Sequence, residues 1–496
     1  MFWTNSLSFL PFVILPLWAI HSLRRTLFFV YLWQLKEYRV DRFLEEISRR
    51  KKIIFSKFFF LAIIVFVFWL IFAQNAEILF FLVYLLFGLY SFLLFSKKRW
   101  AFPRFTKKVI LFFALTVMSQ IFLIWQFFSN FFLFIIILEI LFPVFIFLCL
   151  KIIEIPVFFT KRAIKRKAKQ KIEKLSGLTT IGITGSYGKT SMKEILYELL
   201  KERYRVVKTK KHTNTEIGVA KTVTKDLDDK TEYFICEMGA YKRGEVKAIC
   251  DIVRPKIGVL TGINEQHLAL FKSQKNTIKG KYELIEALPD NGLAVFNGEN
   301  KYCVELFQKT QKKKILYNLT EKIEVGKYGS LFMIDGVKFE INLPGKHNVL
   351  NILGAVKIAQ ELGIKLEECA KICKRLEPKL GGMNLRGRII DSSYSSNPDG
   401  VISSLDYLNL WEGKKAIVIS GLIELGSASK EVHKRIEERI LEVCDTAMTT
   451  TKGVFEKIDF VSNPEEIVDR LKRFDVILIE GRVPRELMNK LLINNH

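Results

Sequence analysis

Cysteine is scarce, at 7 in 496 residues, and none of Cys149, Cys236, Cys250, Cys303, Cys369, Cys373 and Cys444 stands in a paired CxxC spacing. That scatter excludes a zinc ribbon or a disulfide framework and fits reduced thiols in a cytosolic compartment. Cys369 and Cys373, one helical turn apart, read as small core residues. Acidic residues are also in deficit, 51 against 76 Lys and Arg, which leaves a net charge of +25. Such a balance suits nucleic acid, an anionic membrane surface or acidic substrates. Here the basic residues flank apolar runs, which favours a membrane and sets nucleic acid aside. Internal repeats and low-complexity tracts are missing beyond the apolar runs themselves.

Apolar residues, by contrast, make up half the chain, and its 42 Phe exceed what a soluble enzyme buries without leaving large apolar patches in water. The excess lies almost wholly before residue 153. Five stretches, near 5–22, 53–73, 77–95, 109–128 and 130–152, have the length of a membrane-crossing helix. Few charged residues interrupt them, Glu139 being the main exception, which argues against a conduit. The apolar run 26–35, bracketed by Arg24, Arg25 and Lys36, is too short to cross and reads as an interfacial helix. A cleaved leader is disfavoured, because the positive charges follow the first apolar run and further spans come after it. Segments 24–52, 97–108 and 161–171 are rich in Lys and Arg, whereas 74–77 and 129–130 have none. Five spans then put the N-terminus outside and everything after Lys161 in the cytosol, beneath an inner membrane. The stretch KRAIKRKAKQKIEK reads as a surface helix near anionic head groups.

From Leu178 the pattern changes to short β-branched runs (TTIGIT, YFICEM, KIGVLT, LAVFN) alternating with amphipathic stretches, the mark of a doubly wound α/β domain. A second α/β unit begins near Arg386, with strands in RIID, KAIVIS and DVILIE. The expected organisation is a helical membrane bundle over 1–152, a basic linker over 153–177, and α/β domains over 178–385 and 386–496.

TGSYGKTS, between an apolar strand and an amphipathic helix, has the form of a phosphate loop. Gly185 and Gly188 let backbone amides approach phosphate oxygens, with Ser186, Tyr187 and Ser191 completing the loop. Lys189 neutralises terminal phosphates and Thr190 offers a magnesium ligand. The spacing is shorter than the general GxxxxGK[ST] form, which points to a narrower set of nucleotide enzymes. Glu237 ends the strand YFICE, where open α/β sheets hold ligands, and suits magnesium. Alone, His267 reads as a loop histidine and Lys281 as a solvated helix residue.

Taken in order, TGSYGKTSMKE, HTNTEIGVAKT, EMG, TGINEQHL, GKYE, LPGKHNVLN, IIDSSYSSNPDG, GLIELG and DVILIEGR resemble the Mur ligase family over 178–490. Within it the chain looks most like the UDP-N-acetylmuramoyl-tripeptide D-alanyl-D-alanine ligases. The resemblance implies a P-loop central domain and a Rossmann-like C-terminal domain that closes over the nucleotide. It also implies an ADP-forming reaction in which a carboxylate becomes an acyl phosphate and then meets an amine. One magnesium would lie at Thr190 and Glu237 and a second near His267, with a carbamylated lysine at Lys281. Asn348 and Asn351 would lie near the nucleotide, and Asn214, Glu216, Asp391, Tyr394 and Asn397 near the substrates. Asn348 also fits a helix cap. The NTEIG and IELG matches argue against a polyglutamate- or cyanophycin-type ligase.

Some positions depart from the family pattern. Gly381 and Gly382 stand where it has Gly-Arg, with Arg386 and Arg388 nearby, and Ser392, Ser395 and Leu422 replace an Asp, an Asn and an acid. The membrane bundle occupies the place of the uridine-nucleotide-binding domain, so the expected carboxylate substrate is a cell-envelope precursor, lipid-linked if the bundle serves it. The expected amine is an amino acid or D-alanyl-D-alanine.

Overall fold

Long apolar runs fold into helices over the first third of the chain, prolines within them notwithstanding. The computed structural model describes residues 10–49, 57–71, 76–97, 100–210, 213–320, 322–377, 383–393 and 397–493. Two compact units result, Met1–Lys161 and Arg162–His496.

The first unit contains α1 (Leu10–Leu35), α2 (Val40–Arg49), α3 (Lys57–Ile71), α4 (Ala76–Ser96), α5 (Lys107–Gln126) and the N-terminal part of α6 (Phe131–Lys174). Among the described residues, four helices are long and apolar enough to cross a membrane: Leu10–Leu35, Ile78–Ser96, Lys107–Gln126 and Phe128–Lys174. Of the expected stretch 53–73, α3 covers 15 residues, and 53–56 and 72–73 lie outside the described residues.

Two expectations change here. The run 26–35 is no separate interfacial helix but the second half of α1. Its arginines sit inside the helix because neighbouring helices satisfy them. Arg25 ion-pairs with Glu139 and donates to the Glu139 carbonyl (3.2 Å), and Arg24 Nε donates to Ser91 Oγ (3.0 Å). The stretch 153–174, expected as a linker, continues α6 without interruption, and neither Pro143 nor Pro156 ends the helix.

A few polar groups are buried among the apolar side chains of this unit, while large apolar side chains also face outward. His21 Nε2 meets Glu139 Oε1 at 3.0 Å, and Ser22 Oγ donates to Gln120 Oε1 at 2.6 Å. His21 and Glu139 are 0% and 3% exposed, while Ile64, Ile121 and Trp125 are 61%, 62% and 72% exposed. A buried carboxylate is tolerable only with such partners. Glu139→Ala, which strands Arg25 and His21, is expected to destabilise this unit by about 3–5 kcal/mol, read as a lower melting temperature of the detergent-solubilised chain.

The second unit holds a six-stranded parallel sheet of β1 (Thr179–Thr184), β2 (Val206–Lys208), β3 (Tyr233–Glu237), β4 (Ile257–Leu260), β5 (Leu293–Asn297) and β6 (Lys313–Tyr317) in the order β2-β3-β1-β4-β5-β6. Its central strands β1, β3, β4 and β5 are almost wholly buried because helices cover both faces, while the edge strands β2 and β6 are only partly so. These helices are α7 (Lys189–Leu200), α8 (Glu216–Asp226), α9 (Glu245–Val253), α10 (Leu268–Phe271), α11 (Gln274–Glu286), α12 (Lys301–Lys309), α13 (Lys346–Glu361) and α14 (Leu366–Lys374). Ile181 and Ile183 pack with α7 and α13, and Phe234 and Cys236 with α8, α9 and α11. A three-stranded antiparallel sheet, β7 (Ile323–Val325), β8 (Ser330–Ile334) and β9 (Val337–Ile341), adds to the first of these cores.

The C-terminal sheet comprises β10 (Asn384–Arg386), β11 (Ile389–Ser392), β12 (Lys415–Ile419), β13 (Thr446–Thr449), β14 (Asp459–Phe460) and β15 (Val476–Glu480), ordered β10-β11-β15-β12-β13-β14. Only β10 runs antiparallel to its neighbour. Helices α15 (Pro398–Leu408), α16 (Ser429–Val443), α17 (Pro464–Leu471) and α18 (Arg485–Ile493) accompany it.

Candidate active site

β1 lies between β3 and β4, so the chain's order reverses beside it and the carboxyl ends of the three strands open a crevice where α/β sheets receive ligands. The loop after β1 enters that crevice. Gly185 (φ +155°) and Gly188 (φ +75°) take backbone conformations that a side chain resists. Gly188 is the residue before α7, and a Cβ there would stand 2.8 Å from Asn351 Oδ1. Ser186 N donates to Gly262 O (2.7 Å), Asn264 N donates to Ser186 Oγ (3.1 Å), and Asn300 Nδ2 donates to Tyr187 Oη (3.3 Å). Thus the loop is fixed by the segments after β4 and β5. Burial pushes the Tyr187 phenol well above its ordinary value. Lys189 Nζ donates back to Gly185 O (2.7 Å) and burial lowers its pKa, with Glu237 opposing. Ser191 lies half-buried in the first turn of α7.

Glu237 gathers the next layer. Thr190 Oγ1 donates to Glu237 Oε2 (3.1 Å), Lys193 Nζ to the same oxygen (3.0 Å), and Asn214 Nδ2 to Oε1 (3.0 Å). Burial alone would raise this carboxyl, but Lys193 and then Lys189 outweigh it and hold the pKa below the usual carboxylate range. Lys193, absent from the sequence-derived candidates, is fully buried and also meets Glu194 Oε1 at 3.3 Å. It lies four residues after Lys189, which puts both on one side of α7.

His267 and Lys281 reach the same region through α10 and α11. Burial, and next the charge of Lys189, hold Lys281 well below its ordinary value, and it is 2% exposed. His267 Nδ1 lies 2.5 Å from Glu424 Oε2, and both residues have left-handed backbones, φ 63° and φ 64°. The contact alone favours an imidazolium, yet burial outweighs Glu424 and lowers the imidazole. A neutral ring donating from Nδ1 to the carboxylate satisfies both, and leaves Nε2 as the basic nitrogen.

The segment after β4 also receives the C-terminal sheet's domain. Asn264 Nδ2 donates to Asn397 Oδ1 (3.0 Å) and Asp399 Oδ2 (2.8 Å), and Ala269 N donates to Glu424 O (3.0 Å). Asn397 caps α15, accepting from Gly400 N at 3.1 Å. Asp391 accepts from Ser393 Oγ (2.6 Å) and lies 3.7 Å from Arg386, while Arg388 donates to the carbonyls of Lys472 and Phe474. Tyr394, Gly381 and Gly382 fall outside the described residues. Glu216 points to Lys165 of α6, at 2.7 Å. On α13, Asn348 Nδ2 donates to Pro344 O (2.7 Å) and its buried Oδ1 has no partner among the described residues.

Residues 183–359 match the Mur ligase middle domain. The chain carries a Mur ligase middle domain. Over 267 residues it is 31% identical to the UDP-N-acetylmuramoyl-tripeptide–D-alanyl-D-alanine ligase of Synechocystis sp., covering 52% of this chain and 59% of that one. It is 30% identical to the same-named ligase of Bacillus subtilis, covering 55% and 63%. The chain therefore spans about six-tenths of the length of these curated relatives. Among solved structures, MurF from Acinetobacter baumannii superposes with a TM-score of 0.62 at 22% identity, over 67% of this chain and 81% of that one. MurF ligase from Thermotoga maritima in complex with ADP gives 0.60 at 24%, over 68% and 85%. These two share the fold of the second unit's α/β domains.

Within the Mur ligase middle domain, Lys193→Met removes the largest influence lowering Glu237. The carboxylate then protonates at a higher pH than in the parent chain. Binding of labelled ADP with magnesium, followed on acidification, is expected to fail at a higher pH in the variant.

Proposed function

We propose that this chain is an ATP-dependent, ADP-forming amide ligase of cell-envelope precursor synthesis, attached to the inner membrane by its N-terminal helices. The phosphate loop at the switch point, with Thr190 and Glu237 paired beside Lys189, is the observation that carries the reading.

A carboxylate is a poor electrophile, and in this scheme its oxygen attacks the terminal phosphorus of ATP, ADP leaves, and an acyl phosphate forms. An amine then attacks the acyl carbon, phosphate departs, and the amine loses a proton. Two anions must approach in the first step, so cations and positioning dominate. Lys189 supplies one fixed cation. Thr190 and Glu237 are two oxygen donors, a small set that fits magnesium because this ion keeps waters and phosphate oxygens for its other positions. Magnesium there would neutralise charge on the phosphates. Asn214 and Lys193 hold the carboxylate in place, and Asn348 and Asn351 flank the nucleotide. Asp391, Tyr394 and Asn397 belong to the domain that presents the amine, with Asn397 reaching Asn264 across the junction.

His267 Nε2 and Lys281 are the candidates for a second ion. The depressed Lys281 pKa favours the neutral amine, the form whose lone pair adds to carbon dioxide, with loss of a proton, to give an anionic carbamate. A carbon-13 carbamate signal is expected in bicarbonate-equilibrated protein and is expected to vanish in Lys281→Arg; its persistence would remove Lys281 from this role.

For the membrane, the support is four helices long and apolar enough to cross it, with outward Ile64, Ile121 and Trp125 and the Arg25–Glu139 pair within the bundle. The proposed carboxylate substrate is a peptidoglycan-type peptide precursor, lipid-linked where the bundle recruits it, and the amine is D-alanyl-D-alanine or an amino acid. Phosphate release from ATP by the detergent-purified chain tests this, with soluble and lipid-linked muropeptides, with and without D-alanyl-D-alanine. Stimulation by a muropeptide together with the amine is expected, and Lys189→Ala is expected to abolish it. ATP turnover indifferent to every carboxylate would sink the proposal.

A further inference from the structure

The basic end of α6 is a wall of the nucleotide domain. Ile164, Ala168, Ile172 and Leu175 recur at helical spacing and pack with Val219 and Val223 of α8. Ala168 is fully buried. On the flanks of that apolar stripe two lysines grip α8 near its two ends. Lys165 Nζ meets Glu216 Oε1 at 2.7 Å, and Lys171 Nζ donates to Thr224 O at 3.0 Å. From 165 to 171 a helix advances about 9 Å and from 216 to 224 about 12 Å. Two lysine side chains span that difference easily, so the helices run side by side in the same direction.

Glu216 is the first residue of α8, after its cap Thr215, and Asn214 precedes that cap. Asn214 Nδ2 donates to Glu237 Oε1 (3.0 Å), and Asn214 O accepts from Gly239 N (2.8 Å). A path of three short links therefore joins α6 to the carboxylate beside Thr190.

We propose that Lys165 is a positioning residue of the phosphate-loop site, fixing through Glu216 the start of α8 so that Asn214 holds Glu237. This rests on the reading of Thr190 and Glu237 as the magnesium–nucleotide site. Both partners are about one-third exposed, 36% and 32%, so the pair adds little to stability, and its effect is one of geometry. Lys167, two residues along α6, is exposed and carries the same charge without this contact.

The test uses the full chain in detergent and reads the half-maximal magnesium concentration in two ways, from binding of labelled ADP and from ATP turnover. Lys165→Glu, Glu216→Lys and Lys165→Met are each expected to raise it about fivefold, with the melting temperature unchanged. The double reversal Lys165→Glu/Glu216→Lys is expected to return it to within about twofold of the parent, as a double-mutant cycle on a direct pair does. Lys167→Glu, the same charge change elsewhere on α6, should leave it unchanged. If the parent binds ADP or turns over ATP with magnesium and the single variants match it, or the double reversal fails to rescue, the positioning role is overturned. If the parent shows neither magnesium-dependent binding nor turnover, the functional reading fails and takes this inference with it.

Discussion

A single buried carboxylate organises the second unit's crevice. Glu237 is 5% exposed and ends β3, where burial alone would favour its neutral form. It stays ionised because Lys193, Thr190 and Asn214 each donate to it, from α7 and from the segment before α8. An ion so placed repays its desolvation only when charge and hydrogen bonds meet it together. Consequently the phosphate loop, the start of α8 and the end of β3 have to be registered to within a hydrogen-bond length. The close packing of Ile181, Ile195 and Ile352 on one face and Phe234, Val219 and Leu284 on the other supplies that rigidity.

How much of this was legible in the sequence depended on whether the signal was local. The strands TTIGIT, YFICEM, KIGVLT and LAVFN became β1, β3, β4 and β5, since continuous β-branched runs suit strands buried on both faces. β7, β8 and β9 went unread, although a signal was present. Asp335 and Gly336, both with positive φ, form the two-residue turn of a hairpin in which Ile334 pairs with Val337. The joined halves of α1 were hidden for a different reason. Arg24 and Arg25 looked like a boundary because their partners, Ser91 and Glu139, are distant in sequence.

The site divides in the same way. Gly185 to Ser191 and Glu237 were readable because a strand, a turn and a helix start constrain them locally. Lys193 was missed, although its spacing from Lys189 put it on the same helical face. Asn264, Asp399 and Glu424 lie within the quoted motifs TGINEQHL, NPDG and GLIELG, but which partners they meet at the segment after β4 is carried by tertiary packing. For Glu216 the motif alone gave a substrate role, whereas its contact is with Lys165 on α6.

Glu139 and Glu237 show one physical problem solved for two ends. Each is a carboxylate taken almost wholly out of water, and each is met by cationic or hydrogen-bonding side chains from other segments. Glu139 sits among His21, Arg25 and apolar rings within a unit whose outward face is apolar, so its network fixes how α1 meets α6. Glu237 instead sits at a strand end beside a glycine-rich loop with positive φ at Gly185 and Gly188, and Thr190 lies against it. The difference lies in what surrounds the acid. Where neighbours are helix interiors the ion pair specifies packing, and where a loop with positive φ opens beside it the same chemistry sets the position of that loop against the strand end.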